Sequence, residues 1–247
     1  MSEQVLSSLH DVVSAEHPTY IGGGTDIMPL LKNEVRDDKD FVFLKKIPEL
    51  HVLEEKDGEL IIGAAMTLTE LAESALLNSR YAAIAQAASL TASPQIRNIA
   101  TVGGNIMQDR RCIYFNQPHL WRSGLACHEH LPILVTRFFV PAVEEGERSG
   151  FYKYAMRTTI DFPIINFALR CGGKRPARLA AGAVAPHPVV MAETAAKIDS
   201  DATDDEVIAQ AEDELRKLAM PIKEACMTPA VKRSLYRHVA MLLDLRK

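Results

Sequence analysis

The residues best placed to do chemistry in this sequence are glycines. Tyr20-Ile21-Gly22-Gly23-Gly24-Thr25-Asp26 and Ile99-Ala100-Thr101-Val102-Gly103-Gly104-Asn105-Ile106 share one plan: an apolar lead-in, glycines, a small polar residue, a second apolar stretch. Glycine admits positive φ and lets a ligand approach the main-chain N–H groups closely. Successive N–H groups in such a turn form a concavity that favours anions, phosphates above all. Two such segments could grip a dinucleotide from two sides. Neither is a standard nucleotide signature: Gly22 to Thr25 lacks the Gly-Lys-Ser/Thr ending of a P-loop, and neither stretch has Gly-x-Gly-x-x-Gly spacing. A glycine triplet alone describes a tight turn equally well; the pair, in this order, carries more weight. No nucleophile–histidine–acid constellation accompanies them.

The elements around the glycines must position them. Leu6 to Ala15 reads as a short amphipathic helix, with Pro18 after it. Thr19-Tyr20-Ile21 reads as a strand entering the first glycine segment, and Asp26 to Lys32 as the helix leaving it, Pro29 being tolerable in the first turn. Phe41 to Leu44 is a second strand, so residues 1–52 form a small α/β unit. His51–Glu55 and Glu59–Ile62 form a hairpin around Asp57-Gly58. Thr67, with Glu70 three residues on, is a helix cap. Helices over Leu68–Ser74 and Arg80–Leu90 lead to the second glycine segment, and residues 110–150 read as irregular. Strands are expected at Phe151–Met156, Ile164–Cys171 and Arg178–Ala185, then helices at Val190–Lys197, Asp204–Leu218 and Pro229–Leu245.

The bulk properties narrow the class. The 247 residues hold 47% hydrophobic and 24% charged side chains, ordinary for a globular protein. The net charge of −4 gives no support to nucleic-acid binding. No apolar run approaches the ~18 residues of a membrane span, and Met1-Ser2-Glu3-Gln4 lacks the basic start of a signal peptide. A cytoplasmic setting is expected, and the four cysteines do not make a disulfide scaffold.

A family resemblance rests on Gly22-Gly23-Gly24-Thr25-Asp26, on Ile62-Gly63-Ala64 with Thr67, and on Arg97-Asn98 with Thr101-Val102-Gly103-Gly104-Asn105. It continues in Lys153 to Arg157 with Asp161, Gly182-Ala183-Val184-Ala185-Pro186 and the closing stretch Thr228 to Arg246. These resemble the FAD-binding subunits of molybdenum hydroxylases, such as those of carbon monoxide dehydrogenase and xanthine dehydrogenase. A narrower likeness, Gly104 to Gln117 followed by Trp121-Arg122, is to the flavin subunit of 4-hydroxybenzoyl-CoA reductase, which carries a [4Fe–4S] cluster in an insertion here. That branch supplies four cysteines within one loop; this chain has Cys112 and Cys127 there, an incomplete set. The stretch between His130 and Val140 is also short for the family.

The resemblance implies an α+β fold in three parts: an N-terminal FAD-binding α/β subdomain (1–52), a shortened middle FAD-binding subdomain (53–150) with a cysteine-containing loop at 110–130, and a C-terminal antiparallel sheet with helices (151–247). It implies FAD held by Gly22, Gly23, Gly24 and Thr25 at the pyrophosphate and by Thr101, Gly103, Gly104 and Asn105 on the ribityl–pyrophosphate side. Asp26 is either a helix cap or a flavin contact. Asp109 either accepts from ribityl hydroxyls or is an exposed loop carboxylate, and Lys153 either favours reduced flavin or lies on the surface. Tyr114, Phe115 and Trp121 shield the flavin or anchor the core. Cys112 and Cys127 are free thiols, ligands of iron, or zinc ligands with His128 and His130, although that spacing is unusual for zinc.

The implied partners are a molybdopterin-binding large subunit, a [2Fe–2S] small subunit and an external electron donor or acceptor. The implied role is electron transfer between FAD and the [2Fe–2S] partner, in aromatic acyl-CoA metabolism if the narrower likeness holds. The alternative is a flavin-free scaffold subunit of the same type of complex.

Overall fold

The computed structural model describes residues 2–5, 8–13, 18–108, 133–157, 160–185, 187–220 and 229–247. The fold is mixed α+β and forms two compact units. Unit 1 comprises Met1–Glu70 and Pro94–Ala142, and unit 2 comprises Leu71–Ser93 and Val143–Lys247. The three consecutive segments read from the sequence are grouped differently here, because residues 71–93 and 143–150 of the middle segment lie in unit 2.

Unit 1 begins with a parallel sheet of β1 (Ser2–Val5), β2 (Thr19–Ile21) and β3 (Asp40–Phe43), in the order β1-β3-β2. Parallel neighbours need crossover connections, and these contain α1 (Leu9–Val13) and α2 (Ile27–Lys32). Val12, Val42, Leu44, Ile47 and Leu50 bury together on this sheet.

A second, antiparallel sheet follows, with β4 (Leu53–Lys56), β5 (Glu59–Gly63) and β6 (Arg137–Pro141) in chain order across it. Asp57 and Gly58 both take positive φ, 52° and 82°, as a two-residue hairpin loop between twisted strands requires. β6 corrects the irregular reading of 110–150. Ile62 faces Phe138 and Leu60 faces Val140, so the shortened stretch still supplies a strand. Its partner is distant in the chain, which local pattern cannot reveal.

Residues 64–68 then run antiparallel to residues 100–103. Leu68 donates to the Ala100 carbonyl, Val102 to that of Met66 and Gly103 to that of Ala64, each at 2.9 Å. Two short helices flank this crossing, α6 (Pro94–Arg97) and α7 (Val102–Ile106). α3 (Leu68–Glu73) opens with the expected box: the Thr67 N–H donates to Glu70 Oε2 at 2.7 Å and the Glu70 N–H to Thr67 Oγ1 at 3.2 Å. Burial alone would raise the Glu70 pKa, but the Thr67 bonds hold it below the ordinary value.

Unit 2 is built on an antiparallel sheet of β7 (Arg148–Tyr154), β8 (Ile165–Cys171), β9 (Arg178–Gly182) and β10 (Val189–Val190), in the order β10-β9-β8-β7. β8 alternates strictly, with Ile165, Phe167, Leu169 and Cys171 buried. Onto that face pack α8 (Ala192–Ile198) and α9 (Asp204–Leu218), the latter through Val207, Ala211 and Leu215. Spacing of four residues places those three on one helix face.

α9 starts with a Thr203–Glu206 capping box. The expected helix over Pro229–Leu245 is an α-helix only to Ser234 (α10, Pro229–Ser234) and continues as a 3₁₀ segment over Tyr236–Arg246. There Tyr236, Val239 and Leu243 face the core at the three- and four-residue spacing of a helix face.

The expected helix over Arg80–Leu90 is α5 (Ala82–Ser89), and a further helix that the sequence reading did not include, α4 (Ala75–Arg80), precedes it. They break at Tyr81, whose backbone turns to φ −124°, ψ 47° with the side chain buried. α5 covers the free edge of β7: Gln86 Oε1 accepts from the Phe151 N–H at 2.7 Å, and Ser149 Oγ from the Ala83 N–H at 3.2 Å. This satisfies an edge that would otherwise invite pairing with another chain.

Candidate functional site

The two glycine segments meet in unit 1. β2 ends at Ile21, whose carbonyl accepts from Leu44 at 2.8 Å, and the chain then turns through Gly22–Thr25 into α2. Gly24 has φ +72°, a conformation costly to a residue bearing Cβ. A Cβ on Gly22 would strike Thr101 Oγ1, and one on Gly23 would strike the Ile99 carbonyl and lie 2.9 Å from Ala100 Cα. Gly22 and Gly23 are therefore glycine because the second segment lies directly against them. In the second segment Gly103 is pressed onto Ala64, where a Cβ would meet Ala64 Cβ at 2.8 Å. Gly104 is exposed, and a Cβ there would lie 3.1 Å from Thr101 Oγ1, with no other atom of the described residues within 4 Å.

The hydrogen bonds divide the two segments. Among the described residues, the N–H groups of Gly22, Gly23, Gly24 and Thr25 have no partner. Those of Val102, Gly103 and Asn105 donate to the carbonyls of Met66, Ala64 and Thr101, and that of Gly104 donates to Thr101 Oγ1 at 3.2 Å. Four consecutive open N–H groups beside a positive-φ glycine have the chemistry of an anion cradle. The second segment offers close approach at Gly104 instead of N–H donors. The side-chain amide of Asn105, half-buried, has no partner among the described residues.

An open cleft lies along this contact. It is lined by Gly22, Thr101, Gly103 and Gly104 together with apolar Leu44, Ala64, Met107, Ile133 and Leu134. An apolar lining with a few convergent polar groups is the usual make-up of a cofactor site. Asp26 stands at the N-terminus of α2, but its carboxylate makes no capping bond, which corrects the cap reading.

Lys153 belongs to unit 2, on β7, where its ammonium donates to the carbonyls of Leu90 at 2.8 Å and Asp161 at 2.6 Å. Asp109, Cys112, Tyr114, Phe115, Trp121, Cys127, His128 and His130 lie outside the described residues. Among the described residues no cluster of metal-ligating side chains occurs, and no helix is long and apolar enough to cross a membrane.

Ile99 and the stretch around Ala64 are the parts of the site that the sequence alone did not single out for a role. The signal was present in Ile62-Gly63-Ala64 with Thr67, but only the antiparallel crossing explains it.

Unit 2 holds a contrasting polar cluster. Glu147, with a side chain 1% exposed, accepts from Arg175 Nε at 2.7 Å, from the Glu144 N–H at 2.9 Å, and from Arg175 Nη2 and Arg170 Nη1. The Arg175 hydrogen bonds, outweighing desolvation and aided by Glu144 and Arg170, hold its pKa down at about 2. Every oxygen is satisfied from within, which marks a structural lock.

A family model described as the FAD binding domain in molybdopterin dehydrogenase matches residues 2–210. The chain belongs to this family. It is an FAD-binding subunit of the molybdenum-containing oxidoreductase type. It is 32% identical over 215 residues to the xanthine dehydrogenase FAD-binding subunit of Escherichia coli O157:H7, covering 74% of each chain. It is 33% identical over 86 residues to the carbon monoxide dehydrogenase medium chain of Hydrogenophaga pseudoflava, covering 35% of this chain and 30% of that one.

Two solved structures share the fold. A carbon monoxide dehydrogenase chain from Hydrogenophaga pseudoflava superposes with a TM-score of 0.79 at 20% identity, covering 96% of this chain and 93% of that one. A chain of quinoline 2-oxidoreductase from Pseudomonas putida 86 gives 0.80 at 17% identity, covering 99% and 95%.

Proposed function

We propose that this chain carries FAD as the electron-transfer subunit of a molybdenum enzyme, exchanging electrons with a [2Fe–2S] small subunit beside a molybdopterin-binding large subunit. The observation that carries the reading is the row of open N–H groups from Gly22 to Thr25 lying against Thr101 and the Ile99 carbonyl. Such a row fits a pyrophosphate, which accepts several hydrogen bonds at once and needs no side chain between itself and the backbone. When bound, FAD would supply the redox chemistry, exchanging electrons in pairs with one partner and singly with an iron–sulfur centre, in either direction; the protein binds and orients it.

In this assignment Gly22, Gly23, Gly24 and Thr25 donate to the pyrophosphate. Gly104 gives the ligand room, and Gly103 lets the turn lie directly against Ala64. The Asn105 amide offers both a donor and acceptors to the ribityl side. Asp26, at the end of the open turn, and Asp109 complete the polar set. Lys153 is the cation of unit 2 assigned to the flavin, with its position fixed by the Leu90 and Asp161 carbonyls. An external electron donor or acceptor closes the circuit.

The likeness from Gly104 to Gln117 and at Trp121-Arg122 supports an aromatic acyl-CoA substrate for the whole complex. In that branch Cys112 and Cys127 supply two of the four thiolates that a [4Fe–4S] site takes, an incomplete set.

The test is a visible absorption spectrum of the purified chain, with and without dithionite and with FAD added back. Flavin bands that bleach on reduction are expected. A chain that stays colourless after FAD is added back would overturn the reading in favour of the flavin-free scaffold. Iron absorption beyond the flavin would support the cluster assignment.

A further inference from the structure

Tyr236 opens the 3₁₀ segment of unit 2 with its ring in the core, and it is 1% exposed. Its hydroxyl has no hydrogen-bond partner among the described residues. A buried polar group left open costs free energy, so the groups around the phenol indicate what completes it. Arg233 precedes it by three residues, in the last turn of α10, a spacing that brings two side chains to one helix face. Arg216 lies in the last turn of α9, next to Leu215, which shares the core cluster with Tyr236. Both guanidinium charges reach the phenol. Burial raises its pKa above the ordinary 10.0, and Arg233 and Arg216 offset part of that rise. The hydroxyl is therefore a neutral donor near pH 7.

Other cations of unit 2 are matched by carboxylates. Arg170 and Arg175 sit on Glu147, Lys217 pairs with Asp213 at 2.7 Å, and Lys247 with Asp204 at 3.2 Å. Arg216 and Arg233 are exposed and make no ion pair or hydrogen bond among the described residues.

We propose that Arg216, Arg233 and Tyr236 form a phosphate-binding site on unit 2, the phenol donating to one oxygen and the two guanidinium groups holding the others. Guanidinium forks match the oxygens of a phosphate in geometry. Two open positive charges also balance a phosphate monoester, which carries about −1.5 to −2 at pH 7, better than they balance a carboxylate. The site belongs to unit 2 alone and does not depend on the FAD reading of unit 1.

The experiment titrates inorganic phosphate into the full chain by calorimetry at constant ionic strength, with excess FAD present so that the open turn of unit 1 is not the binder. Saturable binding is expected. Arg216→Gln and Arg233→Gln should each weaken it about tenfold, the weight of one charge-assisted hydrogen bond. Neither should change the melting temperature without phosphate, since no ion pair is broken. Tyr236→Phe keeps the ring and should weaken binding about fivefold. Acetate should bind at least about tenfold more weakly than phosphate.

No saturable binding in the wild type would overturn the proposal, as would unchanged binding in the Arg216→Gln, Arg233→Gln double variant. Losses at the arginines with wild-type affinity in Tyr236→Phe would mean diffuse attraction and no built site. Should Tyr236→Phe fail to fold, Arg216→Lys decides, because it keeps the charge and loses the fork; full affinity there overturns the site. Acetate binding as tightly as phosphate would overturn the assignment to phosphate.

Discussion

The first glycine segment leaves the N–H groups of Gly22 to Thr25 without partners among the described residues, whereas the second uses those of Val102, Gly103, Gly104 and Asn105 internally. In sequence the two look alike. In the structure one is an open row of donors, and the other is a closed turn whose glycines permit close packing and close approach. A buried or half-buried polar group left open costs free energy, so a chain keeps one where something else will satisfy it. The cluster around Glu147 is the opposite extreme, with a carboxylate saturated by donors from its own unit. Open main-chain donors locate the candidate site more sharply than the glycines themselves do.

The closed extreme gives the largest expected effect. Glu147→Gln removes one partner of a buried charge cluster and is expected to cost about 3–5 kcal/mol, measured by urea unfolding. Acid titration tests the same point. The folded pKa of Glu147 lies at about 2, below the ordinary 4.5. Its contribution is therefore complete above 4.5 and is lost as the pH falls from there through about 2. Melting temperatures in Glu147→Gln should fall less steeply over that window than in the wild type. Parallel slopes would mean that the cluster is not the lock described.

Next comes the contact between the segments. Gly23→Ala drives a Cβ into the Ile99 carbonyl, with Ala100 Cα 2.9 Å away, and backbone cannot yield as a side chain can. A loss of about 3 kcal/mol is expected, and unchanged unfolding would show that the segments do not interlock.

Gly24→Ala separates conformation from packing, since its nearest neighbour would be Met28 Cγ at 3.4 Å. The strain of φ +72° should cost about 1–2 kcal/mol. FAD affinity, read by fluorescence titration, should fall because the open donors re-aim.

The smallest stability effect is expected at Gly104. Alanine there, in a helical turn, should be neutral or stabilising by about 0.5–1 kcal/mol, yet FAD binding should weaken because the approach surface is filled. Equal affinity would move the ligand away from the second segment.

Much of this architecture was legible in local sequence. The Thr67–Glu70 box, the Asp57-Gly58 hairpin and the strand at β8 depend on neighbours a few residues apart, and each appears in the structure as read. Tyr81 was not legible, because its helix break is fixed by burial. Nor was β6, which exists only by pairing with β5.

By itself, then, the sequence determined the glycine segments, their order, the α+β class and the family to which they point, since these depend on residue type and short spacing. Only the tertiary structure decided what each glycine is for. The antiparallel crossing of residues 64–68 with 100–103 brings Ile99 and Thr101 against Gly22 and Gly23. It also consumes the N–H groups of one segment and leaves those of the other open. Whether a main-chain donor is spent or free is set by which distant carbonyl comes to face it, and that is a property of the folded chain alone.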